Sequence, residues 1–272
     1  HMLSKLLPTK KLTLPNGKIV VEKRSLTPLI VLLLLGFSYI SIQVTGFDFG
    51  MFINRIREFF VIIQEMIPPT WEYLPQIWQP LIDTIKMSIL GSWLGAVCAL
   101  PIAMLAANNI TKIKWISSAV KFLLSLLRTL PTLIVALIAT YVFGLGTLAG
   151  TVAIFLFTIA YVGKLLYEQM ENVDMKAYEA MHSMGLTTIQ SFRYAIMPQI
   201  LPNYLSTSLF CFEGNVRYAA ILGYVGAGGI GLLLNENLGW RNYANVGMIL
   251  LLLVITVYVI ETISEYYRKK LK

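Results

Sequence analysis

Charge is what this sequence has least of. Asp, Glu, Lys and Arg together make up 13% of its 272 residues, about half of the ~25% usual in a soluble domain. That shortage excludes a disordered chain, which needs polarity to stay solvated, and it argues against an ordinary soluble enzyme. Cysteine is nearly absent. Cys98 and Cys211 both fall in apolar runs, where a thiol behaves as a small hydrophobe, so no disulfide is expected. Histidine is equally scarce. His1 opens a His-Met pair read as a cloning scar and set aside. His182 reads as an exposed loop residue rather than a metal ligand, because no Cys/His cluster accompanies it. A Ser-His-Asp set or a pair of catalytic carboxylates cannot be assembled either. No G-x-x-x-x-G-K-[ST] occurs, so any ATP hydrolysis must come from a partner.

Apolar residues, at 57%, supply what is present, and they come in six runs. These are about Leu29–Thr45, Leu81–Ala107, Ile116–Phe143, Thr147–Leu166, Ile200–Leu222 and Ala244–Ile263. Each is long enough to cross a hydrocarbon core of about 30 Å, some only with tilt or a broken end. The first run begins only after a long basic tail, so no cleavable signal peptide is expected. The net charge of +8 would suggest nucleic acid in a soluble chain. Here the basic residues lie between the runs and report topology instead. Lys5, Lys10, Lys11, Lys18, Lys23 and Arg24 precede run one. Lys112, Lys114 and Lys121 follow run two, Lys164, Lys176 and Arg193 follow run four, and Arg268, Lys269, Lys270 and Lys272 close the chain. The opposite side holds Arg55, Arg57 and Arg241. The positive-inside rule therefore predicts six crossings with both termini in the cytoplasm.

The resulting organisation is a cytoplasmic tail (1–28), a first transmembrane helix (29–45), an external segment (46–80), a five-helix core (81–265) with a cytoplasmic loop (168–199), and a cytoplasmic C-terminal tail (266–272). Within the external segment Phe52, Ile53, Ile56, Phe59, Phe60, Ile63 and Met66 recur at helical spacing, which predicts an amphipathic interfacial helix. It serves either as packing for the second span or as a landing surface for an external partner. Pro68-Pro69 ends it, and Trp71, Tyr73 and Trp78 suit an aromatic belt.

The loop 168–199 is the longest polar stretch between spans. Met175–Met184 reads as a helix stopped by Gly185. Thr187-Thr188 offers an N-cap for a second short helix through Tyr194, which Pro198 and Pro202 are expected to end. The run Glu179-Ala180-Met181, then Gly185, then Met197-Pro198 resembles the EAA loop of ABC-importer permeases. That loop reads Glu-Ala-Ala, three residues, Gly, nine residues, an aliphatic, one residue, Leu-Pro. The spacing fits, with apolar replacements at Met181, Ala195 and Met197. The strings Tyr178–Pro202 and Asn215–Gly231 look specifically like phosphonate-type permeases, and the resemblance covers roughly Pro80 to Glu265.

The resemblance implies an all-α polytopic membrane protein of the type I ABC importer permease fold, in a bacterial inner membrane. It implies a transport subunit rather than an enzyme. ATP and Mg would be bound by a separate ATP-binding subunit dimer on the cytoplasmic face. An extracytoplasmic binding protein, a second copy of the chain and the lipid bilayer would complete the partners; nucleic acid would not be among them. The ATPase-coupling residues carried over are Glu179, Ala180, Gly185, Leu186, Thr187, Arg193 and Pro198. The cargo implied is a phosphonate or a related oxyanion, phosphite or phosphate, moved by alternating access. Methionine or another small solute is the rival within the class. A passive anion channel and a non-transporting anchor are rivals outside it, and neither needs an ATPase-docking loop.

Arg128, Glu213 and Arg217 are ionisable at membrane depth, where a charge costs about 2.5–3.5 kcal/mol on insertion scales and usually faces a cavity or the bundle interior. Glu213 and Arg217 stand at i and i+4, so an internal ion pair is one reading. The other is a cationic lining for an anion, with Asn215 donating nearby. Arg128, just before Thr129-Leu130-Pro131, reads as a path residue or as the start of a cytoplasmic helix. Gly226, Gly228, Gly229 and Gly231 satisfy G-x-G-x-x-G, yet no βαβ unit surrounds them and a dinucleotide site is excluded. They are expected to allow close backbone passage near an outer gate. Gly91/Gly95 and Gly146/Gly150 are small-xxx-small patterns for close helix packing, within the subunit or across a dimer.

Overall fold

The computed structural model of the chain describes residues 11–13, 17, 19–21 and 26–271. Lys5, Lys10, Lys18, Lys23, Arg24 and Lys272, which contribute to the predicted topology, lie outside the described residues. The chain divides into two compact units, residues 1–61 and 62–272.

In the first unit two three-residue strands, β1 (Lys11–Thr13) and β2 (Ile19–Val21), pair antiparallel with Leu12 opposite Val20. Helix α1 (Thr27–Thr45) has proline in its first turn, where the missing N–H removes no helical bond. None of its side chains is buried among the described residues, as suits a helix whose solvent is lipid. Helix α2 (Phe49–Glu65), whose last four residues belong to the second unit, begins where the Asp48 carboxylate accepts the Gly50 and Met51 N–H groups at 2.7 and 3.1 Å, a cap that satisfies orphan donors. Phe52, Ile56, Phe59, Phe60 and Ile63 share one face of it. A helix thus forms where the spacing placed one.

The second unit is a helical bundle. Its elements are α3 (Leu74–Ala106), α4 (Lys114–Thr129), α5 (Thr132–Phe143), α6 (Thr147–Glu171), α7 (Lys176–Ser183), α8 (Thr188–Ser191), α9 (Met197–Leu222), α10 (Ile230–Gly239) and α11 (Tyr243–Leu271). Helices α3 and α6 form its spine. A Cβ on Gly91 would meet Ile154, and one on Gly95 would meet Thr158, so the first small-xxx-small pattern serves packing within the subunit. Gly150 approaches Met87 and the Ala227 backbone in the same way. One core cluster, containing Leu166, Met170, Tyr178, Ile196 and Ile200, lies toward the loop. Another, containing Ile77, Leu81, Ile230, Met248 and Ile249, lies at the opposite end.

Four stretches, α1, Trp71–Ala106, α6 and α11, are long and apolar enough to span a membrane unbroken. Two bent pairs complete six crossings when each counts as one span. The predicted third span is one of these. It breaks between α4 and α5 with a 93° bend, because Pro131 has no N–H and holds Leu130 extended at ψ 123. Arg128 therefore sits in the last turn of α4, not at a helix start. The fifth span continues beyond Leu222 through a 3-10 turn (Gly223–Val225) into α10, bent by 50°.

Pro198 and Pro202 do not end the loop helix, contrary to expectation. The chain passes from α8 through a π turn (Phe192–Ile196) directly into α9. The Met197 N–H reaches back five residues to the Phe192 carbonyl, and the extra residue in that turn places Pro198 in the first turn of the new helix, where its missing donor is harmless. Pro202 is carried inside α9.

Candidate functional site

The loop between α6 and α9 is built by local bonds that its own sequence supplies. Helix α7 ends in a Schellman motif. The Leu186 N–H donates to the Met181 carbonyl at 3.3 Å and the Gly185 N–H to the His182 carbonyl at 3.1 Å. Gly185 takes φ +90, a left-handed conformation that costs a residue with a Cβ about 1–2 kcal/mol. Thr187 then caps α8 in a capping box. Its hydroxyl accepts the Gln190 N–H at 3.3 Å, and the Gln190 carboxamide accepts the Thr187 N–H at 3.0 Å. Tyr178 is buried in the core cluster and stacks on His182, ring centroids 6.0 Å apart. His182 lies in the last turn of α7 rather than in a loop.

A clamp that sequence reading missed joins the two ends of this loop. The Gln199 side chain accepts the Asp174 N–H at 3.2 Å and donates to the Asp174 and Ala195 carbonyls at 3.1 and 2.8 Å. Next to it, Glu171 accepts from Lys121 at 2.6 Å and from the Asn108 N–H at 2.8 Å, fastening α6 to α4 and to the end of α3. What remains outward is a mixed surface. Glu179, Ala180, Gly185, Thr187, Arg193 and Pro198 are exposed and Leu186 is half-buried. Arg193 lies over the Tyr194 ring, 5.8 Å from its centroid. Met184 and Ile189, which sequence reading did not single out, are 71% and 72% exposed and give this surface an apolar centre.

The intramembrane polar residues separate into two faces of α9. Asn215 is 1% exposed, and its amide donates to Ser92 on α3 and Thr158 on α6, both at 2.8 Å. The expectation of Asn215 as a lining residue is thereby corrected: it ties three helices together inside the bundle. Arg217 is two residues on, about 200° around a helix of 3.6 residues per turn, and points away from α3 with its side chain 51% exposed. Its Nη2 donates to Glu213 Oε1 at 2.6 Å and to Glu261 Oε2 on α11 at 3.4 Å. Glu213, with its side chain 6% exposed, also faces the Arg268 guanidinium at 3.6 Å from its second oxygen. Arg268 in turn covers the Phe210 ring at 5.3 Å.

Of the two readings of the Glu213–Arg217 pair, the internal ion pair is the one the geometry displays. The ion pair exists, and one side of the guanidinium remains accessible. Arg128 is exposed and forms no ion pair among the described residues. Glu261 and Arg268 were outside the predicted site, Arg268 having been assigned to the cytoplasmic tail. Their spacing of seven residues, two helical turns on one face, was the available signal.

The glycine segment forms the bend between α9 and α10. A Cβ on Gly231 would collide with the Ala220 carbonyl oxygen, and one on Gly223 with the Leu232 amide, so glycine here permits two backbone turns to touch. The Ile230 N–H donates to Thr84 Oγ1 at 2.8 Å, and the Gly146 N–H to the Gly226 carbonyl at 2.9 Å. Gly226, Gly228 and Gly229 all have positive φ. Away from this bend, a cavity of about 650 Å³ between α3, α9 and the end of α11 is lined mostly by apolar side chains, among them Trp93, Val97 and Phe212, and contains none of the predicted site residues.

Residues 99–271 match the family described as binding-protein-dependent transport system inner membrane component. Among curated proteins, the chain is 32% identical over 225 residues to the phosphite transport system permease protein PtxC of Stutzerimonas stutzeri, covering 83% of this chain and 82% of that one. It is 31% identical over 211 residues to the phosphate-import permease protein PhnE of Mycolicibacterium smegmatis, covering 77% of this chain but only 40% of that longer protein. Among solved structures it superposes on a chain of the MetNI methionine ABC transporter, in an inward-facing conformation, with a TM-score of 0.66 at 22% identity, covering 75% of this chain and 99% of that one. At that identity the likeness establishes the fold alone.

Proposed function

The chain belongs to the binding-protein-dependent transport system inner membrane component family, and we propose that it is the pore-forming subunit through which a phosphorus oxyanion, phosphonate, phosphite or phosphate, is imported. It is a permease subunit, and ATP hydrolysis belongs to a separate subunit. The observation that carries the mechanism is the construction of the loop 168–199. Its outward face, from Glu179 through Met184 and Ile189 to Arg193, is a small docking platform. Its inward face is locked to α6 by packing and to α9 by Gln199.

A platform fastened in this way moves as one piece with the helices that line the path. The reading is that an ATP-binding subunit seats on it, and that closure of two such subunits pushes the platforms of two permease copies. The path then switches from inward-open to outward-open. The binding protein delivers cargo at the opposite face, near the glycine bend, and both termini lie in the cytoplasm, in keeping with the distribution of lysine and arginine.

For the cargo, the support is the naming of the relatives at about 30% identity together with Arg217. Its guanidinium is a fork suited to tetrahedral oxyanions, and it is held on the face of α9 opposite the bundle interior. Methionine as cargo rests on a likeness of fold and on a sequence relative that are both of lower identity, 22% and 24%. The test is ATPase activity of the complete complex in liposomes, with binding protein, offered methylphosphonate, phosphite, phosphate and methionine in turn. Stimulation by the phosphorus compounds alone is expected. Stimulation by methionine alone would refute the cargo assignment and leave the importer architecture in place.

A further inference from the structure

We infer that Glu261 is an exchangeable counter-ion which the cargo oxyanion displaces from Arg217, so that Glu261 sets which solutes can enter the path. The inference rests on the proposed reading of Arg217 as a path residue and adds a second residue to it. Two carboxylates contact Arg217, and they are not equivalent. Glu213 bonds at 2.6 Å, has a side chain 6% exposed, and is held from its other side by Arg268. Glu261 reaches the same nitrogen at 3.4 Å, has a side chain 49% exposed, and has no second cation among the described residues. Glu213 is thus the fixed partner and Glu261 the loose one.

The charges balance in the empty state. Arg217 and Arg268 face Glu213 and Glu261, so the cluster is neutral, and neither of its two guanidiniums is left unpaired. Neutrality also means that the cluster exerts little net attraction on a distant anion. An oxyanion gains a place only by taking over the bond that Glu261 makes. It can do so because its oxygens present the same fork-matching geometry as a carboxylate. When it leaves, Glu261 returns and the guanidinium is again satisfied. A neutral solute cannot perform this exchange, since displacing an ionised carboxylate without replacing its charge strands Arg217. Tyr218, next in the chain and 44% exposed, packs edge-on against Phe157 at 5.6 Å, so this seat adjoins an aromatic surface.

Isothermal titration of inorganic phosphite into the solubilised permease–ATPase complex, without binding protein, isolates the permease's own contact. Glu261→Gln removes the competing charge and keeps the shape. It is expected to tighten phosphite binding about fivefold, as loss of a half-exposed ion pair worth under ~1 kcal/mol implies. Glu261→Asp should stay close to wild type, and Arg217→Gln should abolish the heat of binding. Unchanged or weaker binding by Glu261→Gln overturns the exchange if the complex still answers loaded binding protein with ATP hydrolysis, and the importer reading then survives. Failure of every phosphorus oxyanion to stimulate the wild-type complex in liposomes would instead remove the cargo assignment, and the exchange with it.

Discussion

At its loop end α9 is fastened by a neutral carboxamide, Gln199, that bridges backbone groups of Asp174 and Ala195; farther along the same helix the fastening is ionic, with Glu213 set between Arg217 and Arg268. The loop end is largely exposed, and an exposed ion pair contributes ~0–1 kcal/mol, so precise geometry there comes from capping and backbone bonds. The intramembrane end lies where an unpaired charge is expensive and a paired one is held firmly. The same helix therefore carries a joint made of many weak, directional bonds and a joint made of a few strong, mutually dependent ones. Removing one member should have very different consequences at the two ends.

The largest effect is expected at Glu213. Glu213→Ala removes the buried carboxylate set between Arg217 and Arg268, a loss of about 1.5–3 kcal/mol for a charged hydrogen bond whose cationic partners are partly exposed. Thermal unfolding of the solubilised complex should show a marked fall in Tm or failure to assemble. A double replacement, Glu213→Leu with Arg268→Leu, removes charges in pairs and should cost less than the single change. An unaltered Tm for Glu213→Ala would mean that the ionic joint contributes nothing and would erase the contrast.

A smaller effect of a different kind is expected at Gly185. Gly185→Ala forces a Cβ into φ +90 at a cost of about 1–2 kcal/mol, which the end of α7 can relieve by unwinding its last turn. The bundle core does not depend on that turn, so the complex should assemble. What should suffer is transmission: basal ATP hydrolysis persists while transport per ATP falls. Uptake and hydrolysis measured on the same proteoliposomes give that ratio, and a wild-type ratio in Gly185→Ala would show that the Schellman turn has no part in coupling.

The two ends of α9 also differ in how far the sequence disclosed them. Gly185 and Thr187 were legible because a C-terminal glycine and an N-cap threonine act within four residues of themselves. The six apolar runs were legible for the same reason, since hydropathy is a local sum. Pro131 was read through because a run of this length suits a tilted span, although the restriction on Leu130 was available from the residue pair alone. Pro198 was misread because a π turn, which no local propensity announces, shifts where the helix begins. Glu261 and Arg268 could not be paired with α9 in advance. Their register against Glu213 is set by the excursion through Gly223–Gly239, and the depth of that excursion depends on Gly231 touching Ala220 and on Thr84 receiving the Ile230 N–H. Asn215 was assigned to the wrong face because its partners, Ser92 and Thr158, are distant in sequence.

The smallest effect sharpens the comparison most. Gln199→Leu keeps the volume at the head of α9 and removes the carboxamide. Three hydrogen bonds are lost, yet the site is exposed, so water replaces much of each bond, and the net cost should stay near ~1 kcal/mol. Neither Tm nor assembly should change appreciably. The Asp174 amide, which loses its acceptor, should exchange with solvent about fivefold faster for a local opening made easier by that amount. Amides near Glu213 should keep their protection, because the ionic joint is independent of the clamp. Hydrogen exchange measured peptide by peptide reads both ends at once. Faster exchange at both would mean that the two joints form a single cooperative unit, and that the platform is coupled to the path through α9 itself rather than through α6.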